Sequence, residues 1–222
     1  RDLQASNPAA KKQLRVGLGS RVYSNSLFSE IVRFFDGHPE IEVSFFTEAG
    51  MDFLTALRQQ QVDLVLDRLP AEDYLARQSE YYSLPLVRER QCVLMSHRDE
   101  RASLPSLSIR DLQGSTVISG LENSAEDRQL REVCGRYGIT LKRIYRSDGI
   151  ETNMNLLRSG KGIIIGPESF AEYYGVAAVP LAPRTVTSLD FICLKKNEDR
   201  TEIAALRKFL VKLCAERAAR RA

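Results

Sequence analysis

Leu14-Arg15-Val16-Gly17-Leu18, Ile41-Glu42-Val43-Ser44-Phe45 and Val62-Asp63-Leu64-Val65-Leu66 are three short apolar segments in the first part of the chain. The first two alternate apolar and polar residues, as half-buried strands do, and the third is apolar enough to be covered on both faces. Between the first two, Leu27, Ile31, Phe34 and Phe35 recur with helical spacing until Gly37. Between the second and third, Phe53, Leu54 and Leu57 mark another helix, ending in Gln59-Gln60-Gln61. Strand, helix, strand, helix, strand is the order of a parallel α/β sheet. Ligands of such sheets bind beyond the carboxyl ends of the strands. Those ends are Gly19 to Tyr23, Thr47 to Met51, and Asp67 to Leu69.

Outward from this unit the theme repeats. Cys92 to Met95 and Thr116 to Ile118 read as strands, and the second leads into Ser119-Gly120-Leu121-Glu122-Asn123-Ser124. Ser124, with Asp127 three residues on, has the pattern of a helix N-cap with an acid in the first turn. Leu130, Val133, Cys134 and Tyr137 follow on one side of that helix, and Gly138 ends it. Leu141 to Tyr145 is a strand, Met154 and Leu157 mark a helix, Ile163-Ile164-Ile165 is a buried strand, and Val176 to Val179 is another. Leu189 to Leu194 precedes a long amphipathic helix whose buried face holds Ile203, Leu206, Phe209, Leu210 and Leu213. Its end, Arg217 to Ala222, reads as basic and solvated.

The expected architecture is an α/β fold of two Rossmann-like lobes joined by two crossover strands, with a ligand cleft between the lobes. Residues 1–13 read as a linker remnant, 14–97 with 187–222 as the first lobe, and 98–186 as the second. Leu86 to His97 and Arg184 to Lys195 are the connecting segments, and the final helix returns to the first lobe.

Composition narrows the function. The 222 residues are 43% hydrophobic and 27% charged, which argues against disorder. The net charge of +3 is too small to advertise a nucleic-acid surface. No apolar run reaches the ~20 residues of a membrane span, and Arg1 to Gln13 have no apolar core of signal-peptide type. Cys92, Cys134, Cys193 and Cys214 are too far apart for zinc spacing, and His38 and His97 do not form a ligand pair. No metal, cofactor or catalytic residue is expected.

Several segments, in this order, carry a family resemblance. They are Leu14-Arg15-Val16-Gly17, Phe34-Phe35-Asp36-Gly37-His38-Pro39-Glu40-Ile41-Glu42-Val43 and Leu57-Arg58-Gln59-Gln60-Gln61-Val62-Asp63-Leu64. Pro85-Leu86-Val87-Arg88-Glu89 follows, running on into Val93-Leu94-Met95-Ser96-His97, and then Asp111-Leu112-Gln113-Gly114. Leu156-Leu157-Arg158-Ser159-Gly160-Lys161-Gly162-Ile163-Ile164-Ile165-Gly166-Pro167 completes the set. Together they resemble the effector-binding domain of LysR-type transcriptional regulators. The resemblance implies the type 2 periplasmic-binding-protein fold, a small effector between the lobes, and homodimers that become tetramers at full length. It also implies a cytoplasmic regulator whose N-terminal winged helix-turn-helix is absent from this chain, so that DNA is reached only through that missing domain. The helix from Leu27 to Phe35 against second-lobe helices of another copy is the expected contact surface.

By position in the family pattern, the candidate effector-binding residues are Ser20, Arg21, Val22, Thr47, Glu48, Gly50, Ser119, Gly120, Asn123 and Asp148. Family members often carry a hydroxyl where this chain has Gly50, so a backbone N–H would serve there instead. Arg21 offers a bidentate donor to a carboxylate. With Asp148 opposite, the pair suits an organic acid or an amino acid. Blander roles stand beside these. Arg21 pairs with Glu48 or Asp148 as a structural bridge, Asp148 caps the helix that follows, Ser119 and Asn123 satisfy turn backbone, and Thr47 only ends its strand. A solute-binding protein of a transporter and a small dehydratase share the fold. A redox regulator is a further alternative, since Cys92 and Cys193 fall on the two connecting strands.

Overall fold

The computed structural model describes residues 12–47, 52–68 and 79–220. The chain opens with β1 (Lys12–Leu18), α1 (Arg21–Ser24), α2 (Phe28–Asp36), β2 (Ile41–Thr47), α3 (Phe53–Arg58) and β3 (Leu64–Asp67). Strands β1 and β2, and β1 and β3, pair in parallel. A long strand, β4 (Tyr81–Met95), then leads to β5 (Leu107–Ser108), β6 (Thr116–Ser119), α4 (Ala125–Tyr137), β7 (Arg143–Arg146) and α5 (Ile150–Arg158). The chain finishes with β8 (Ile164–Pro167), α6 (Ser169–Tyr174), β9 (Ala177–Ala182), β10 (Val186–Leu194) and α7 (Thr201–Ala219).

The two connecting segments run against the parallel grain. Strand β10 is antiparallel to both β3 and β4, so the sheet is mixed rather than parallel throughout. Within β4 the partners change. Tyr81 to Arg90 face β10, while Gln91 to Met95 bond antiparallel to β8 and β9. The exchange of partners therefore falls at Gln91, within the connecting segment Leu86 to His97.

Each lobe buries both faces of its sheet, which explains why its central strands are nearly continuous apolar runs. Leu64 and Leu66 pack with Ile31, Phe34, Leu206 and Leu210 on one face. Val65, between them, packs with Phe53, Leu57 and Ile192 on the other. The same alternation divides β4 beyond the crossing. Val93 and Met95 join Val117, Leu130 and Val179, whereas Cys92 and Leu94 join Ile118, Met154, Leu157 and Phe170. On α7 the fully buried stripe is Ile203, Leu206, Leu210 and Cys214, with Phe209 and Leu213 half-covered at its margin. Arg217, expected in a solvated tail, instead donates to the Asn25 carbonyl at 3.0 Å and to Glu30 Oε1 at 3.0 Å. The end of α7 is thereby tied to the first lobe.

Candidate functional site

A cleft of about 970 Å³ lies where the lobes meet. Ser20 and Arg21 form part of its first wall, Gln91 lies where β4 crosses, and Ser119, Gly120 and Asn123 belong to the second wall. Local sequence sets these walls. Gly19 is required because an added Cβ would lie 2.3 Å from the Asp67 carboxyl, so the chain leaves β1 pressed against the end of β3. A Cβ on Gly120 would meet Ser124 Oγ at 2.4 Å, so the second-wall turn folds onto the start of α4. There Ser124 Oγ accepts the Asp127 N–H at 3.2 Å, the cap its spacing predicts.

Asp127 organises this wall. Its carboxylate has no solvent-exposed surface. It accepts the Asn123 N–H at 3.0 Å, Arg131 Nη2 at 2.6 Å and Arg146 Nη2 at 2.8 Å. Burial alone would raise the Asp127 pKa; these donors outweigh it and hold the carboxyl below the usual range. Asn123 adopts the left-handed conformation at φ 65° in the turn that Asp127 clamps.

The expected site residues divide. Ser20, Arg21, Ser119, Gly120, Asn123 and Asp148 all line the one cleft. Val22 does not. The chain turns into α1 at Arg21, and one helical step carries Val22 round into the first-lobe core, where it is fully buried. Thr47, the exposed last residue of β2, is also outside the lining. Glu48 and Gly50 fall outside the described residues. Arg21 is buried and meets Glu89, with Nη1 4.0 Å from Oε2, rather than Asp148. Asp148 does not cap α5, whose N-cap is Gly149 without a side-chain bond.

Glu89 and Arg68 were not foreseen. Glu89 accepts Asn25 Nδ2 at 3.1 Å and the Ser169 N–H at 3.2 Å, linking α1 of the first lobe to α6 of the second. Ser24 and Ser169 hydroxyls add a bond of 2.8 Å beside it. Arg68, just after β3, reaches across to hydrogen-bond Gln129 on α4 and lies 3.8 Å from Glu126. The lobes are thus tied by polar contacts on elements at both edges of their junction. The hydrogen-bonded residues are 61 to 145 positions apart along the chain, so no local pattern announces them.

The cysteine-pair reading is overturned. Cys193 faces Tyr82 in register, whereas Cys92 lies ten residues further along the same strand. At ~3.3 Å per residue the two are about 30 Å apart, while a disulfide needs Cα atoms within about 7 Å. Burial pushes the Cys92 thiol up to about 11 and that of Cys193 up to about 12. Burial also raises Cys134 and Cys214. All four are therefore expected as protonated, unreactive thiols at neutral pH. Titration of the native protein with an aromatic disulfide reagent should give slow reaction that becomes fast on unfolding. Rapid stoichiometric labelling of any native thiol would contradict this.

Two α/β lobes joined by antiparallel crossover strands around a cleft make the type 2 periplasmic-binding-protein architecture. Residues 9–215 match the family model for the LysR substrate binding domain, and the chain belongs to that family, the effector-binding regulatory domains of LysR-type transcriptional regulators. Similar solved structures include the regulatory domain of CcmR from Synechocystis PCC6803 in complex with 2-PG, with TM-score 0.77, 12% identity, and coverage of 92% of this chain and 98% of that one. The effector binding domain of QuiR in complex with shikimate has TM-score 0.73 at 18% identity, covering 93% and 98%. The BenM effector binding domain with its effector benzoate has TM-score 0.73 at 16% identity, covering 95% of each chain. No curated protein sequence matches the chain. Membership in a family of transcriptional regulators decides against the transporter and dehydratase readings that share the fold. No helix among the described residues is long and apolar enough to cross a membrane.

Proposed function

We propose that the chain senses a small organic acid or amino acid bound between its lobes. The observation that carries this reading is the meeting of Ser20, Arg21, Ser119, Gly120, Asn123 and Asp148 on one cleft lined from both lobes. The lobes divide at Gln91, where β4 exchanges partners, so ligand touching both walls bears on their relative angle. A ligand shifts that angle only by binding one arrangement better than another. In this reading the change alters the packing of homodimers, or of tetramers at full length, with the helix Phe28–Asp36 of one copy against second-lobe helices of another. DNA is reached through an attached N-terminal domain, and the setting is cytoplasmic. The solved relatives with shikimate, benzoate and 2-PG support a small acid as the class of ligand.

The test is thermal unfolding against a panel of organic and amino acids. Ligand at a hundred times its Kd should stabilise the native state by about 2.7 kcal/mol. For a chain of this size that corresponds to a rise in Tm of roughly 5–10 °C. Ser119→Phe, which puts a ring into the cleft from its second wall, should abolish the rise. A rise that survives this substitution, or no rise with any panel member, would refute the proposal.

A further inference from the structure

The cleft lining carries two acids that no described residue answers. Asp67 and Asp148 both line it, and neither makes a hydrogen bond or ion pair among the described residues. A ligand carboxylate entering there needs an arginine that can turn to meet it. Most of the lining arginines are committed elsewhere. Arg21 faces the buried Glu89 carboxylate, and Arg136 pairs with Glu132 on its own helix. Arg58 and Arg128 are exposed and bonded locally, to the Thr55 hydroxyl and the Asn123 carbonyl, each at 2.7 Å. Arg68 differs. It stands at the carboxyl end of β3, its side chain is only 19% exposed, and it hydrogen-bonds across the cleft to the Gln129 amide oxygen on α4. Its other described neighbour, Glu126, is 3.8 Å away and 56% exposed, so solvent weakens that attraction. Arg68 is thus a covered cation whose hydrogen-bond partner is neutral.

We infer that Arg68 is a latch between the lobes, which the carboxylate of a bound acid releases. This rests on the cleft taking a small acid. Without ligand, Arg68 joins the end of β3 in the first lobe to α4 in the second through Gln129. A carboxylate offers the guanidinium two parallel charge-assisted bonds, each roughly twice as strong as a bond to a neutral group. The exchange therefore runs toward the ligand. The same arginine offsets the repulsion that Asp67 and Asp148 exert on an anion in the cleft. The place of the bond makes it effective. The Glu89 tie lies on β4 itself, two residues from Gln91, where the partners change. Arg68 follows β3, which lies two strands from β4 in the sheet, about 10 Å at the usual spacing. A bond farther from the pivot restrains the angle between the lobes more. Recognition of the acid and freeing of that angle are then one exchange of hydrogen bonds. The acid binds the unlatched arrangement better, which is the differential interaction that a population shift requires.

Calorimetry with succinate, benzoate, shikimate and glutamate tests this on the wild type and on variants at both ends of the latch. At least one of these acids should bind the wild type and not Ser119→Phe. Arg68→Met loses latch and anchor together, so that acid should bind it at least about tenfold more weakly. Gln129→Leu removes only the competing bond, so the same acid should bind it at least about threefold more tightly. Gln129→Glu sets a further carboxylate against the guanidinium and should weaken binding. A purely structural tie would move Arg68→Met and Gln129→Leu in the same direction. Arg68→Lys keeps the charge without the planar fork and should also bind more weakly. It serves in place of Arg68→Met should that variant fail to fold, with the melting temperature as the control. Unchanged affinity in the Arg68 variants, or an affinity that Gln129→Leu lowers or leaves alone, would overturn the inference while the cleft stands. If none of the four acids binds, the inference also falls. A neutral or cationic compound that then stabilises the wild type but not Ser119→Phe would leave the cleft standing as the effector site. Acids that bind Ser119→Phe as tightly as the wild type would take the cleft reading down with the latch.

Discussion

Replacing Asp63 by alanine is expected to destabilise the protein by about 2–4 kcal/mol, because the carboxylate is buried while its arginine partners, 38% and 34% exposed, are partly screened by solvent. For a chain of this length that is a fall in Tm of roughly 10 °C. Asp63 precedes β3 and its side chain is 6% exposed. One oxygen accepts the Arg15 N–H at 2.8 Å and Arg15 Nε at 3.1 Å. The other accepts Arg15 Nη2 at 3.0 Å and Arg200 Nη1 at 2.8 Å. Arg200 stands immediately before α7 and also bonds the Gln13 carbonyl at 3.2 Å and Glu202 at 2.8 Å. One carboxylate therefore joins β1, β3 and the start of the last helix. Its loss leaves Arg15 without the carboxylate it bonds and Arg200 with Glu202.

The same group makes stability depend on pH with a definite sign. Burial pushes the Asp63 carboxyl up, and the hydrogen bonds from Arg15 and Arg200 outweigh it, holding the carboxyl below the ordinary range. A carboxyl held low in the folded state stabilises that state fully above the unfolded value of about 3.9. The contribution is lost as pH falls through the folded value. Chemical denaturation of wild type and Asp63→Asn between neutral pH and pH 3 checks this. The variant should start less stable and lose less on acidification. Parallel curves would show that Asp63 carries no linked proton.

Asp127→Ala is expected to cost about 2–3 kcal/mol, somewhat less because the arginines covering the carboxylate are themselves half-exposed. Arg131 is 50% exposed and Arg146 31%, so solvent screens part of the interaction. The larger effect should appear at the cleft. Without the Asp127 oxygen that takes the Asn123 N–H, that left-handed turn is left to the Arg128 bond to the Asn123 carbonyl and the Ser124 N–H bond to the Leu121 carbonyl. Left-handed backbone costs a non-glycine residue about 1–2 kcal/mol, so the turn should relax. Any ligand that stabilises the wild type should then bind Asp127→Ala at least about tenfold more weakly, with a native circular dichroism spectrum retained. Undiminished affinity in a folded variant would mean that the second-wall turn holds its shape unaided.

Much of this fold is legible locally. The Ser124 cap, the termination of α4 at Gly138, and the alternating burial of β3 follow from residue spacing and backbone chemistry. So did the position of Ser20 and Ser119, because strand ends of α/β sheets point toward the ligand. Val22 escaped this logic because a four-residue helix begins one residue earlier than a simple turn would, and rotates it into the core.

By itself, then, the sequence determined the alternation of strands and helices, the two lobes and the family, since these depend on periodicity, caps and turns that act over a few residues. Tertiary structure decided where β4 changes lobes, that Glu89 and Arg68 tie the lobes together, and that Cys92 and Cys193 lie far apart. It also decided that Asp63 holds the last helix to the first strands. These are pairings between residues distant along the chain. Register and side-chain partnership are chosen by what the whole core can bury and satisfy at once, and no short stretch carries that information.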